Sequence, residues 1–497
     1  MATMTALNSK VAEFTATPKQ MFIDGKFVDA LSGKRFTTYN PATGEAITSV
    51  PEAGKEDVDL AVQAARKAFD GGPWPKTKPA ERSRLLHKLA DLIEENIEEL
   101  TQMETLDNGI PLEGAKNFVM ASVGHLRYYA GWPSIIKGDT VPNNIPGELF
   151  NYTRREPIGV CGQIIPWNSP IVNAVMKIAA PVACGNTVVL KTAEQTPLSG
   201  VRLAELIQEA GFPDGVINII SGFGTIAGAA LTEHLGVDKI AFTGSTEVGK
   251  QVMRSSAVNV KKVSLELGGK SANIIFADAD YDQAIANAAN AIFWNSGQVC
   301  CAGSRLFVEK KIYDRFVSDL VEYSKNYRVG NGFNPESVLG PLVSKDQLER
   351  VNRYRDLAKQ EGSEVLEGGS GDEKELSAGY FVKPTVLANV NNDMCVAQEE
   401  IFGPVVGALP FETVDEVVDL ANQTQYGLGG GVCTTDVRKA HRVAHAMRTG
   451  NVWVNTYNVI DATSPFGGYK QSGIGRENGS AAIDMYTEIK NVWVNLD

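Results

Sequence analysis

Cys300 carries the sharpest chemical signal in this chain. It stands in Phe293-Trp294-Asn-Ser-Gly297-Gln298-Val299-Cys300-Cys301-Ala-Gly303, between a helical pattern ending near Trp294 and an apolar run from Ser304 to Val308, which places it on a loop. A free thiol has a pKa of about 8.5 and needs N–H donors or a base nearby before it is an effective nucleophile. Glu266, in Leu265-Glu266-Leu267-Gly268-Gly269, is a carboxylate set among apolar residues just after a strand, where desolvation raises it toward the range of a general base. Asn168, in Pro166-Trp167-Asn168-Ser169-Pro170, ends the run Ile158 to Ile165, and an amide there suits donation to a developing oxyanion. Taken singly, each has an ordinary reading. A lone cysteine is most simply a small buried hydrophobe, and Cys301 keeps that reading; the others are a surface glutamate and a turn asparagine.

Three glycine-rich elements invite a phosphate. Gly244-Ser245-Thr-Glu-Val248-Gly249-Lys250 follows the run Lys239 to Phe242 and opens a helix, whose N–H groups suit an anion. It resembles a P-loop, but the next residue is Gln251, which has no hydroxyl for a magnesium ion, so a nucleoside triphosphatase is disfavoured. Gly222-Phe-Gly224-Thr-Ile-Ala-Gly228 has one residue too many for the dinucleotide fingerprint. Gly268-Gly269-Lys270-Ser271 has no glycine at Ser264 and reads as a strand-end turn.

The elements that must position these residues alternate in type. Lys55 to Asp70 and Pro79 to Leu106 carry apolar residues at helical spacing. From Pro157 onward, Ile158–Ile165, Thr187–Leu190, Val216–Ile220, Lys239–Phe242 and Lys262–Leu265 are short apolar β-branched runs, separated by helical patterns such as Leu198–Ala210, which predicts a doubly wound parallel sheet. A second set follows, with strands at Ala272–Phe276, Ser304–Val308, Val405–Pro410, Gly429–Cys433 and Asn451–Val454 and helices at Tyr281–Phe293, Lys311–Lys325 and Val414–Asn422, giving a second α/β lobe. Glu148–Glu156 and Glu488–Asp497 alternate in character like half-buried strands and fit neither lobe. Gly362–Ser377 reads as a polar turn region.

A chain of 497 residues has room for two to four such units at about 150 residues each. Its 43% hydrophobic and 21% charged residues, with 48 glycines and 22 prolines, exclude collagenous and disordered classes. A net charge of −12 repels phosphate backbones and anionic lipid, so small molecules are expected as ligands, without nucleic acid or membrane partners. The six cysteines form neither a disulfide framework nor a C-x-x-C pair, so no metal site is expected and a reducing compartment fits. No leader-like apolar segment and no run of about 18 apolar residues occurs, and the expected location is cytoplasmic.

Together the motifs resemble those of the aldehyde dehydrogenases from about Met21 to the end of the chain. The resemblance rests on Pro166-Trp-Asn168, Lys191-Thr-Ala-Glu194, Phe242-Thr-Gly-Ser-Thr-Glu-Val-Gly249, Glu266-Leu-Gly-Gly-Lys270, Phe293-Trp-Asn-Ser-Gly-Gln-Val-Cys300, Glu399-Glu400-Ile-Phe402-Gly-Pro404 and Ser464-Pro-Phe466-Gly-Gly. It is nearest the tetrameric NAD-dependent mitochondrial and cytosolic (retinal-type) branch and its bacterial relatives. It implies an α/β fold of two Rossmann-like parallel-sheet lobes plus a small β oligomerisation domain: residues 1–137 and 157–268 for NAD, 269–477 for catalysis, 138–156 and 478–497 as oligomerisation strands of a homotetramer.

By the same resemblance Cys300 is the nucleophile, Glu266 the base and Asn168 the oxyanion donor, with Lys177 nearby. Lys191 and Glu194 contact the adenosine ribose, Ser245 the pyrophosphate, and Glu400 with Phe402 the nicotinamide ribose. Ile164, Ile165, Pro166, Trp167, Gly224, Gly228, Phe242, Thr243, Gly244, Val248, Leu267 and Gly268 are the other expected cofactor-binding residues. The substrate meets Ser169, Asn173, Met176, Trp294, Val299, Cys301, Ile460 and Phe466. Relatives usually carry Phe where this chain has Ser169, and Ile460 replaces a channel aromatic. The expected substrate is therefore a medium or bulky apolar aldehyde. Other classes to be separated by assay are a nucleotidase hydrolysing ATP and a binding protein without turnover.

Overall fold

The computed structural model describes residues 4–497. In its first sheet, Lys262–Glu266, Lys239–Thr243, Val160–Ile164, Thr187–Lys191 and Ile217–Ile220 lie side by side in that order, all parallel. The chain winds outward from Val160–Ile164 through two strands, then crosses to the other side, so the topological switch point falls between Val160–Ile164 and Lys239–Thr243. These are the apolar runs read from the sequence, and they lack alternation because both faces are covered. Pro79–Glu95, Leu112–Ala130, Pro170–Cys184 and Leu198–Ala210 pack one face, and Lys55–Asp70 with Thr246–Ser256 the other.

The sheet is longer than the sequence reading foresaw. Met21–Ile23 and Lys26–Val28 form a hairpin that pairs antiparallel with Ile217–Ile220. Its turn is Asp24-Gly25, at φ 50° and 73°, the left-handed geometry that makes Asp-Gly a strong local hairpin signal. At the opposite edge Gly473–Ile474 pairs with Leu265 and Glu266, so a segment from late in the chain seals the strand that ends in Glu266.

The second sheet orders Thr385–Ala388, Val405–Phe411, Arg305–Glu309, Ala272–Ile275, Gly429–Cys433 and Asn451–Val454, again parallel. Glu364–Glu367 adds an antiparallel edge, and Glu373–Leu376 forms a helical turn. Gly362–Ser377 is thus not only turns; a solvent-facing edge strand carries charges that hide its period. The expected helix Pro79 to Leu106 is two helices, Pro79–Glu95 and Ile97–Asn108. The break is Asn96, whose Nδ2 donates to Leu92 O at 2.8 Å and competes with the backbone ladder.

Leu149–Pro157 and Thr487–Asn495 pair antiparallel over nine residues, the two outlying strands joined in one ribbon. Phe150, Ile489 and Trp493 are exposed along it. Between the sheets only Leu267 to Ser271 intervene, so the carboxyl ends of the first sheet face the amino ends of the second. The candidate residues lie in that junction.

Candidate active site

Helix Tyr281–Phe293 runs into Trp294 and then three residues of left-handed backbone, Asn295, Ser296 and Gly297, at φ 50°, 53° and 71°. That conformation costs a residue with a side chain roughly 1–2 kcal/mol, and each is tied down. Asn295 Nδ2 donates to Asn168 O at 2.9 Å, Ser296 Oγ donates to Gly340 O at 2.8 Å, and Gly297 lies against the backbone of Gly403. Gln298 is buried, its side-chain carbonyl accepting the Val343 N–H at 2.9 Å. The loop leaves Cys300 partly exposed to a cavity and turns Cys301 inward. Cys301 Sγ lies 3.8 Å from Asn458 Oδ1, and its carbonyl accepts from the Tyr457 hydroxyl at 3.0 Å. Adjacent thiols thus occupy different environments. The Cys301 thiol, then burial, push the Cys300 thiol well above its ordinary value, so the resting group holds its proton.

Asn168 follows the switch-point strand. Its Nδ2 donates to Gln298 O at 2.9 Å, which commits one amide hydrogen to the cysteine loop and leaves the second for an oxygen in the cavity.

Glu266 ends Lys262–Glu266, is 5% exposed, and neither carboxyl oxygen has a partner. Burial raises it well above the usual carboxylate range; Lys177 pulls it back, Cys300 raises it further and Arg476 lowers it. Gly467 packs beside it, where a Cβ would stand 2.7 Å from Glu266 Oε1. Lys177 does not line the cavity. It sits behind Glu266, almost fully buried and ion-paired with Glu477, and burial lowers it to about 7.

The cofactor half lies at the carboxyl ends of the first sheet. Pro166, Trp167, Thr243, Gly244, Ser245, Leu267, Gly268, Glu400 and Phe402 line the same cavity as Cys300. Ser245 caps helix Thr246–Ser256, accepting the Val248 N–H at 3.3 Å, and the remaining N–H groups of that helix end suit an anion. Glu400 accepts the Gly269 N–H at 3.0 Å, and burial raises it to about 7. It presses on Gly268, where a Cβ would meet it at 2.3 Å. Phe402, at φ 62°, stands edge-on to Trp167 with centroids 5.1 Å apart. One strand over, Lys191 Nζ donates to Glu194 Oε2 at 2.8 Å, and a Cβ on Gly224 would lie 4.0 Å from each. This extended, glycine-lined cradle with a helix N-terminus and acceptor carboxylates fits an adenine dinucleotide. Ile164, Ile165 and Phe242 are buried in or beside the strands beneath it, Gly228 is buried in the turn Gly224–Gly228, and Val248 is exposed on the helix.

The cavity measures about 490 Å³ and is lined by all eight expected substrate residues. Ser169 Oγ accepts from Asn173 Nδ2 at 2.7 Å, and Trp294 meets Phe118 edge-on at 5.4 Å. Sequence reasoning missed one wall. Asn117, Phe118, Ala121 and His125 project from helix Leu112–Ala130 at one-turn spacing, a stripe that periodicity in that segment could have found. His125 Nδ1 lies 2.7 Å from Ala121 O and Nε2 3.1 Å from Asn478 Oδ1; burial lowers its pKa. Gln347, Arg350, Asn458 and Glu477 also line the cavity with no local signal. Gln347 holds Phe402 O at 2.7 Å, and Arg350 donates to Glu400 O.

A thiol, a desolvated carboxylate and a free amide hydrogen converge on one cavity, with a dinucleotide cradle at its other end. Comparison with known proteins gives the family. The sequence matches the aldehyde dehydrogenase family over residues 27–492. It is 52% identical to an aldehyde dehydrogenase of Alternaria alternata over 96% of each chain, and 50% identical to the human mitochondrial aldehyde dehydrogenase over 96% of this chain and 92% of that one. The NAD⁺ complex of an aldehyde dehydrogenase from Bacillus cereus superposes with a TM-score of 0.97 at 52% identity, covering 100% of both chains. The chain belongs to the aldehyde dehydrogenase family.

Proposed function

We propose that the protein is an NAD-dependent aldehyde dehydrogenase that carries its acyl intermediate on Cys300. Cys300 Sγ adds to the aldehyde carbon, and because contact with Cys301 and burial hold the thiol protonated, its proton must pass to an acceptor, for which the raised Glu266 carboxylate is placed. Asn168 Nδ2 and the Cys300 backbone N–H stabilise the tetrahedral oxyanion. NAD⁺, when bound, supplies the acceptor for the hydride that leaves the former aldehyde carbon. After Glu266 gives up the first proton to solvent, its carboxylate deprotonates the water that hydrolyses the thioester, and the proton it takes passes to the departing Cys300 sulfur, releasing the acid and restoring the thiol. Lys177, paired to Glu477 behind the carboxylate, opposes the rise in its pKa.

The observation that carries this reading is the difference between the two thiols: both border the cavity that holds Glu266 and Asn168, but Cys300 is partly exposed to it and Cys301 is fully buried. With an aldehyde and NAD⁺, absorbance of the reduced nicotinamide should vanish for Cys300→Ser, with NAD⁺ binding intact, and persist for Cys301→Ala. The reverse pattern would refute the assignment. Phosphate release from ATP, or no turnover with any aldehyde, would favour the other two classes.

A medium or bulky apolar aldehyde suits walls of Phe118, Val172, Met176, Trp294, Ile460 and Phe466. The one arginine in the lining, Arg350, is committed to main-chain carbonyls at Glu400 and Ile401, so nothing clamps a substrate carboxylate. The exposed apolar residues of the Leu149–Pro157 and Thr487–Asn495 ribbon suit a homo-oligomer, read as a tetramer built through residues 138–156 and 478–497; light scattering returning a monomer mass would dismiss it. Six unpaired cysteines suit a cytoplasmic location, which cell fractionation tests.

A further inference from the structure

The last turn of helix Ile97–Asn108 holds three polar side chains that the mechanism does not use. Glu104, Asp107 and Asn108 are 1%, 2% and 0% exposed. Glu104 Oε1 accepts the Ile171 N–H at 3.1 Å. That is the first N–H of helix Pro170–Cys184, because Pro170 has none, and the Ser169 side chain does not cap the helix. Asn108 Nδ2 donates to Trp167 O at 2.8 Å. Four residues apart, the two lie on one helix face and grip the chain on either side of Asn168. Asp107 turns elsewhere, accepting the Leu198 N–H at 2.8 Å and the Thr38 hydroxyl at 2.6 Å.

We propose that Glu104 and Asn108 are positioning residues that fix the Asn168 amide in place, acting through the main chain of Ile171 and Trp167. The inference rests on Asn168 being the oxyanion donor. The other tethers of Asn168, Gln298 O and Asn295 Nδ2, belong to the left-handed cysteine loop. Helix Ile97–Asn108 therefore supplies the regular framework on which the donor is set, while the cysteine loop supplies the nucleophile. An oxyanion donor acts only if it is held where charge develops, so loosening either grip should reach the chemical step; loosening the Glu104 grip should also spare cofactor binding, whereas Asn108 holds Trp167 of the cofactor wall.

The groups facing Glu104 are Asp107 on its own helix, the Ser199 hydroxyl from helix Leu198–Ala210, and the Ile171 N–H. Burial, reinforced by Asp107, raises it to about 8, so at neutral pH a neutral carboxyl holds the N–H.

The test is the first-turnover rate of nicotinamide reduction in the full-length enzyme, with NAD⁺ affinity and melting temperature measured alongside. Glu104→Leu should slow that turnover by about tenfold or more, given how steeply rate falls with misplacement, while NAD⁺ affinity stays within about threefold of the parent. Glu104→Gln keeps an acceptor oxygen for the Ile171 N–H, so it should restore the rate at pH 7. Asn108→Ala should slow the first turnover as Glu104→Leu does, with a loss of NAD⁺ affinity through Trp167. A parental rate in Glu104→Leu, a Gln variant as slow as the Leu variant, or rate and NAD⁺ affinity falling together in Glu104→Leu would each overturn the proposal. Asn168→Ala is run beside them: an unchanged rate there removes the oxyanion premise and this inference with it. Absence of turnover in the parent refutes the proposed function itself.

Discussion

Replacing Gly297 by alanine tests whether the left-handed turn aims Cys300. A Cβ there would lie 2.1 Å from Gly403 O, 2.3 Å from Gly403 C and 2.7 Å from Pro404 N. All three are backbone atoms that cannot swing aside. Real Cβ contacts essentially never fall under 3.0 Å, so the two segments must part by at least 0.9 Å, the difference from 2.1 Å. The positive φ adds roughly 1–2 kcal/mol for alanine. Gly297 is three residues before Cys300, and a displacement near 1 Å at a reacting atom is worth about 10²-fold in rate, or about 2.7 kcal/mol of barrier. Lys191, Glu194 and Ser245 sit on other elements, so most of NAD⁺ binding should survive, any loss falling at the nicotinamide end, where Phe402 adjoins Gly403. Stopped-flow absorbance of nicotinamide reduction reads the rate, and quenching of tryptophan fluorescence reads NAD⁺ binding. A kcat within threefold of the parent would refute the idea that this turn sets the nucleophile.

Glu266→Gln should block deacylation, leaving an acylated Cys300 detectable by intact-mass spectrometry; undiminished steady-state turnover would make Glu266 structural. The same variant should unfold at higher temperature than the parent near pH 8. A carboxyl whose folded pKa is raised above 4.5 loses stability as pH climbs from the unfolded toward the folded value, because only the unfolded state is then free to ionise; Gln removes that loss, and equal melting curves across pH would contradict it. Glu194 should favour NAD⁺ over NADP⁺ at least several-fold, since a 2′-phosphate at 4 Å meets like-charge repulsion of about 4 kcal/mol at an effective dielectric near 20 and about 1 in water. Glu194→Gln, which also frees the Lys191 ammonium, should narrow the gap in kcat/KM, and a parent that uses both cofactors equally would count against this placement. Ser169→Phe should penalise benzaldehyde and larger aldehydes more than acetaldehyde; a uniform loss, or a parent that prefers acetaldehyde, would defeat the open-channel reading.

The parallel strands and the helices Lys55–Asp70, Leu198–Ala210, Tyr281–Phe293 and Val414–Asn422 are legible in the sequence because period, composition and end residues are local properties. So are the motifs around Asn168, Glu266 and Cys300, where a rare side chain sits at a strand end or between glycines. Local signals fail where they compete or are masked. Asn96 offers its amide to the backbone and splits a helix whose apolar stripe runs on; Glu364–Glu367 looks like a loop because its charges face water. Pairing is beyond local reading altogether. Leu149–Pro157 and Thr487–Asn495 each read as strands, yet nothing in either names its partner, since partners far apart in the chain are chosen by packing of everything between.

The same holds inside the site. Cys300 and Cys301 are identical in type and adjacent, and only the strained turn before them, held by Asn168 and Gly403, decides which is exposed and which is fully buried at the cavity wall. The raised pKa of Glu266 depends on burial beside Gly467 and on the opposing charge of Lys177, both from distant segments. His125, Glu477 and Glu104 have no motif of their own. The sequence by itself determines which groups this protein has for chemistry and which elements carry them. The tertiary structure alone decides their protonation and aim, because desolvation and hydrogen-bond partners are supplied by residues that sequence distance does not connect.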